Sequence, residues 1–140
     1  MATALPKPTS RKTSRTRSVI HHINRGKARD RSKLSRLITQ IQAGFAVSQD
    51  SLVRLTGFSR RAIAGWKAGQ PSSEPAVRRF EELRRLQEGL ARVMKPKFIP
   101  QWLHTPNEAF DGLKPLEVIE RGQIDRIWRM IFYLESGMPT

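Results

Sequence analysis

Two short runs of this 140-residue chain carry residue types suited to recognition chemistry. The first is SQDSLVRLTGFSRRAIAGWKAG, residues 48–69, where Ser59, Arg60 and Arg61 follow Gly57 and precede Ala64 and Lys67. Guanidinium groups at the start of a helix can grip guanine edges or phosphates. The second lies near the end of the chain, where Trp128, Phe132 and Tyr133 fall within six residues of one another. Arg129, Glu135, Met138, Pro139 and Thr140 surround them. Tyr and Trp are common anchors of protein interfaces. The sequence contains no Gly-rich phosphate loop, Cys/His pair, metal-ligand cluster or nucleophile elbow, so no catalytic residue, metal or cofactor is expected. His21 and His22 have no third ligand nearby, and His104 stands alone.

The first run needs two helices and a tight turn to present its arginines. Ser48 can cap one helix and Ser59 the next, since a serine hydroxyl accepts an otherwise orphaned backbone N–H. Gly57 supplies the turn, where positive φ costs little, and Gly69 can end the second helix. Leu52, Phe58, Ile63 and Trp66 are the expected apolar plug between them. This is the pattern of a helix-turn-helix whose second helix meets the major groove of double-stranded DNA. A plain αα-hairpin with two surface arginines fits the same residues. Before it, Leu34, Leu37, Ile38 and Ile41 mark one helix face, with Ser32 as a cap and Gly44 as a stop. After it, Pro75 opens a long helix in which Val77, Phe80, Leu83, Leu86, Leu90 and Val93 form a stripe. Arg78 with Glu82, and Glu81 with Arg85, are i,i+4 pairs on that helix. Its far end is long enough to link two modules or to pair with a second copy.

Charge divides the chain. The net charge is +14, with +9 in residues 1–33, +6 in residues 34–95 and −1 in residues 96–140. A strongly basic balance points to a polyanion, nucleic acid before an anionic membrane surface. No apolar run is long enough to span a bilayer, and zero cysteines fit a reducing cytoplasm. Residues 1–33 contain Pro6, Pro8 and the run RKTSRTR, with few apolar residues to offset the entropy of ordering. They are expected to form a disordered basic arm, with Arg15 and Arg17 adding phosphate or minor-groove contacts. The same composition resembles an organellar transit peptide, and a merely solvated tail would look alike.

Past Lys95-Pro96 the text changes. Pro100, Pro106 and Pro115 stand at or near helix starts, Gly112 and Gly122 at helix ends. The last helix, from Gln123 to about Ser136, should bury Ile124, Ile127, Ile131 and Leu134, with Trp128 at the edge and Gly137 as its stop. Trp102-Leu103, Thr105-Pro106-Asn107, Ala109-Phe110, Gly112, Pro115-Leu116-Glu117, Ile119 and Gly122 form an ordered series with that helix. The series resembles the toxin-binding domain of Xre/MbcA/ParS-type bacterial antitoxins, and residues 34–94 resemble the Xre-like unit that precedes it. Together they cover about three-quarters of the chain.

The resemblance implies an all-α protein in three parts. These are the arm at 1–33, a helix-turn-helix domain at 34–95 and a small helical toxin-binding domain at 96–140. It implies a type II antitoxin that blocks the cleft of a co-encoded toxin, often a RES-domain enzyme that consumes NAD, and represses its own operon. A homodimer, bacterial cytoplasm and association with the nucleoid go with that reading. The competing expectation is a DNA-binding regulator or nucleoid-type protein whose C-terminal domain only dimerises.

Overall fold

The computed structural model of the chain describes residue 4 and residues 11–137, with side chains from Arg29 onward. The described residues form helices, 3-10 turns and loops without a strand. Two units are present, Met1–Asp30 and Arg31–Thr140. The first covers most of the stretch expected as an arm. Its described backbone is helical from Arg11, because α1 runs Arg11–Phe45. That start follows the last proline of the N-terminal segment, Pro8, and no proline interrupts the helix after it.

Two expected boundaries move as a result. Ser32 lies inside α1 and caps nothing, and Gly44 lies one residue before its end. The stop is Ala46, left-handed at φ 51, where Ala46 donates to the Ala43 carbonyl and Val47 to the Gln42 carbonyl. This reciprocal pair satisfies the last orphan carbonyls of the helix. Gly44 does different work: the Gln87 amide of α4 occupies the place its side chain would take.

The next two helices form where the sequence places them. α2 is Gln49–Thr56, capped by Ser48, whose Oγ accepts from Ser51 N at 3.2 Å. Gly57 ends it at φ 77, donating to the Val53 carbonyl. α3 is Arg60–Lys67, capped by Ser59, whose Oγ accepts from Ala62 N at 3.1 Å. Leu52 and Ile63 are buried between them, while Phe58 and Trp66 meet edge to face at 5.1 Å and pack against the core.

α4, Glu74–Val93, is the long strut. Phe80, Leu83, Leu86 and Leu90 are fully buried along it, each worth about 1.5–3 kcal/mol relative to exposure. The Arg79 guanidinium donates twice to the Leu55 carbonyl, at 2.6 and 3.2 Å, tying the start of α4 to the end of α2. The two surface pairs expected on α4 are replaced by others. Arg84 bridges Glu81 and Glu88, Arg79 meets Glu82, and Lys33 of α1 reaches Glu81 at 3.2 Å. Glu81 faces α1 and the Arg84 side of its own helix, so Arg85 does not reach it. The Arg84 hydrogen bond holds the Glu81 carboxyl below its ordinary range.

The remainder is four short elements and a last helix. A 3-10 turn at Pro96–Phe98 leads into α5, Ile99–Leu103; a second at Glu108–Phe110 precedes α6, Pro115–Glu120; α7 is Ile124–Ser136. Gly112, Gly122 and Gly137 all take positive φ at the ends expected of them. One continuous apolar cluster runs from Leu34 of α1 to Ile131 of α7, so residues 96–140 and 34–95 share a core. Arg54 of α2 meets Glu120 of α6 at 3.3 Å, and the His104 Nε2 lies 3.1 Å from the Phe45 carbonyl at the end of α1. The far end of α4 is also used inside the chain, against α7.

The contact between α4 and α7 turns on a missing side chain. A Cβ added at Gly89 would lie 2.8 Å from Trp128 Cζ3 and 3.4 Å from Ile131 Cδ1. Gly89→Val should therefore destabilise the fold by about 1–3 kcal/mol through overpacking. Ala91→Val, exposed on the same helix, should stay within about 0.5 kcal/mol of the parent in a urea melt. Equal melts for the two variants would show that the Gly89–Trp128 contact does not hold α7.

Candidate functional site

Two surfaces gather the residues singled out by the sequence. The first is the N-terminal end of α3. Arg60 and Arg61 occupy its first two positions and both are exposed, as is Ala64. Ser59 keeps its hydroxyl on the Ala62 N–H and so starts the helix at a fixed residue. Arg60 is held by α2: its Nε donates to Gln49 Oε1 at 3.3 Å and its Nη1 lies 3.5 Å from Asp50 Oδ1. Arg61 makes no ion pair among the described residues.

Lys67 stands apart from this group. It is half-buried, its ammonium donates to Gln42 Oε1 at 2.7 Å, and its carbonyl accepts from Ser35 Oγ. It fastens the end of α3 to α1, at the opposite end of the helix from Arg60. Arg15 and Arg17 lie within α1, and their side chains are outside the described ones. Gln49 and Asp50 were not singled out by the sequence. Their spacing of 11 and 10 residues from Arg60 becomes meaningful only once the turn at Gly57 folds α3 back beside α2.

The second surface is the last part of α7. Ile127 and Ile131 are buried, and Trp128 is half-buried on Gly89, so the helix is pinned through one side. Beyond that seam Phe132, Tyr133 and Leu134 are consecutive and exposed, at 62%, 41% and 52%. Phe132 and Tyr133 meet edge to face at 6.0 Å. Leu134 was expected in the core, three residues after Ile131. It is instead exposed, on the side of α7 turned away from the core. Arg129 pairs with Asp125 on its own helix, and Glu135 pairs with Arg92 in the last turn of α4. Met138, Pro139 and Thr140 are outside the described residues. Trp128 therefore serves the seam, while Phe132 and Tyr133 supply free aromatic surface.

Among the described residues no three His, Cys, Asp or Glu side chains gather as a metal site. No helix among them is long and apolar enough to cross a membrane. What the geometry offers is binding: two exposed guanidinium groups at one helix start and a row of exposed apolar side chains at another helix end.

Known proteins resemble this chain in sequence and in fold. No family model matches it. It is similar to a probable mycobacterial cidal antitoxin of Mycobacterium tuberculosis, with 29% identity over 83 residues, 59% of this chain and 71% of that protein. It is also similar to the mycobacterial cidal antitoxin MbcA of Mycobacterium bovis, with 27% identity over 81 residues, 57% of this chain and 72% of that one. A chain in the crystal structure of the M. tuberculosis MbcT-MbcA toxin-antitoxin complex shares the fold. Its TM-score is 0.60 at 21% identity, over 76% of this chain and 97% of that chain. In sequence and in fold the chain is thus similar to antitoxins of the MbcA type.

The different roles of the α7 aromatics give an expected result. Phe132→Ser and Tyr133→Ser, both at exposed positions, should leave stability within about 0.5 kcal/mol of the parent. Trp128→Ala should lose about 2 kcal/mol, part of the 3–5 kcal/mol that a fully buried aromatic loses. Chemical denaturation of the three variants checks this, and a Phe132 variant as unstable as the Trp128 variant would place Phe132 in the core.

Proposed function

We propose that this chain is the antitoxin of a type II toxin-antitoxin pair, and that it neutralises a co-encoded toxin through the exposed end of α7. The observation that carries the reading is the run Phe132–Tyr133–Leu134, left open on a helix that Ile127, Trp128 and Ile131 otherwise pin down. A row of apolar side chains on a rigid support suits insertion into a cleft, because the helix backbone that carries them is already ordered before binding. The antitoxins it is similar to, and the toxin-antitoxin complex whose chain shares its fold, support the same partner class. The toxin we have in view is a RES-type enzyme that consumes NAD, and occupation of its cleft would exclude its substrate.

The DNA half of the proposal rests on α2 and α3. Arg60 and Arg61 sit at the exposed start of a capped helix, the end that meets base edges in helix-turn-helix readers. The +15 carried by residues 1–95 would draw that surface to operator DNA upstream of the chain's own gene. Binding there as a homodimer in the bacterial cytoplasm would repress the operon.

Growth separates the two halves. The protein encoded beside this gene is induced with the full-length chain, with a Phe132→Ser/Tyr133→Ser variant, or with an Arg60→Ala/Arg61→Ala variant. The parent and the arginine variant should restore growth, and the aromatic variant should not, at equal expression and equal melting behaviour. Full rescue by the aromatic variant would contradict the proposal. Loss of self-association in that variant, with no binding to the neighbouring protein by any of the three, would favour a DNA-binding protein that only dimerises.

A further inference from the structure

We propose that Asp50, with Gln49, sets the sequence specificity of Arg60 by holding its guanidinium where a guanine edge can take it and a phosphate cannot. The inference rests on the DNA reading of α2 and α3 given above. Its starting point is a difference between neighbours. Arg60 is engaged by Gln49 Oε1 at 3.3 Å and by Asp50 Oδ1 at 3.5 Å, whereas Arg61 makes no ion pair among the described residues.

Stability does not account for the pair. The side chains of Arg60 and Asp50 are 66% and 65% exposed, and ion pairs that open to water contribute little to folding. A carboxylate in the first turn of α2 does favour that helix, so Asp50 has a local structural role as well. That role explains an acid at this helix start and leaves its contact with Arg60 unexplained.

Chemistry separates the two ligands that Arg60 would meet on DNA. A phosphate that reaches the guanidinium comes close to the Asp50 carboxylate, and the two negative charges repel. Guanine presents O6 and N7, two neutral acceptors spaced for a guanidinium fork, and meets no such charge. Non-specific binding is made almost entirely of phosphate contacts. Asp50 thus weakens the contact that any sequence can offer and spares the one that only guanine can. Gln49 fixes the Nε edge of the fork, which orients the remaining donors. Arg61, with no carboxylate beside it, is left as the phosphate contact of the same helix turn.

The test uses the full chain and two duplexes, one taken from the DNA immediately upstream of the gene and one scrambled to the same composition. Affinities are measured across a salt series for the parent, Asp50→Asn and Arg60→Lys. Asp50→Asn should bind the scrambled duplex about two- to fivefold more tightly, the factor an exposed ion pair is worth. Its salt slope on that duplex should steepen by about 0.9, one added phosphate contact. Its affinity for the upstream duplex should barely change, so the ratio between the two falls. Arg60→Lys keeps the charge and loses the fork, and should weaken only the upstream duplex. Melting curves check that each variant is folded. If Asp50→Asn strengthens both duplexes equally, or neither, Asp50 acts only on α2 and the proposal is overturned. If the parent itself binds the two duplexes alike, the DNA reading fails and this inference fails with it, an outcome visible without any variant.

Discussion

Burial of one stripe on α4 is the constraint on which the Arg31–Thr140 unit depends. Phe80, Leu83, Leu86 and Leu90 are each fully buried, and the elements around them are those that carry the two surfaces. The early turns of α4 hold α2 through the Arg79–Leu55 hydrogen bonds, while its later turns receive Trp128 and Ile131 of α7 at Gly89. α1 closes against the middle, with Gly44 facing Gln87 and Lys33 reaching Glu81. A helix of 20 residues spans about 30 Å at 1.5 Å per residue, enough to seat the α2–α3 pair near one end and α7 near the other.

The shared core explains why two chemically different surfaces coexist on so small a chain. Residues 96–140 hold neither excess charge nor a core of their own, and their apolar cluster is continuous with that of α1, α2 and α4. Arg54–Glu120 and the His104–Phe45 contact add polar ties across the same boundary. Charge and apolar exposure are kept apart: exposed guanidinium groups at the start of α3, apolar side chains at the end of α7. Phosphates have little attraction for the second surface, and a protein cleft lined for aromatics has little for the first.

Much of this was legible in the residues, because local rules decide it. Ser48, Gly57 and Ser59 fix the bounds of α2 and α3 through caps and a turn, which depend on neighbours in sequence, and α4 starts one residue before the expected Pro75, at Glu74, with Ser73 as its cap. Errors came where distant elements decide. Gly44 reads as a stop, yet the Gln87 amide of α4 occupies the place its side chain would take, and Ala46 ends the helix instead. Leu134 fits the apolar period of α7, yet no element of the core covers it and it is exposed. The pairs Arg78–Glu82 and Glu81–Arg85 fit i,i+4 spacing, but Lys33 from α1 and Arg84 take Glu81 first. Of the candidate sites, the place of Arg60 at an exposed helix start followed from the Ser59 cap, whereas the sequence left open which of the α7 aromatics would be exposed. The part played by Trp128 against Gly89, and by Gln49 and Asp50 against Arg60, required the tertiary fold.

Backbone hydrogen exchange on the full chain, alone and bound to the protein encoded beside it, tests the central claim most directly. The account predicts slowed exchange on binding concentrated in the last two turns of α7, from Trp128 to Ser136, with the α2–α3 turn unaffected. Slowed exchange in α2 and α3 with none in α7 would contradict it.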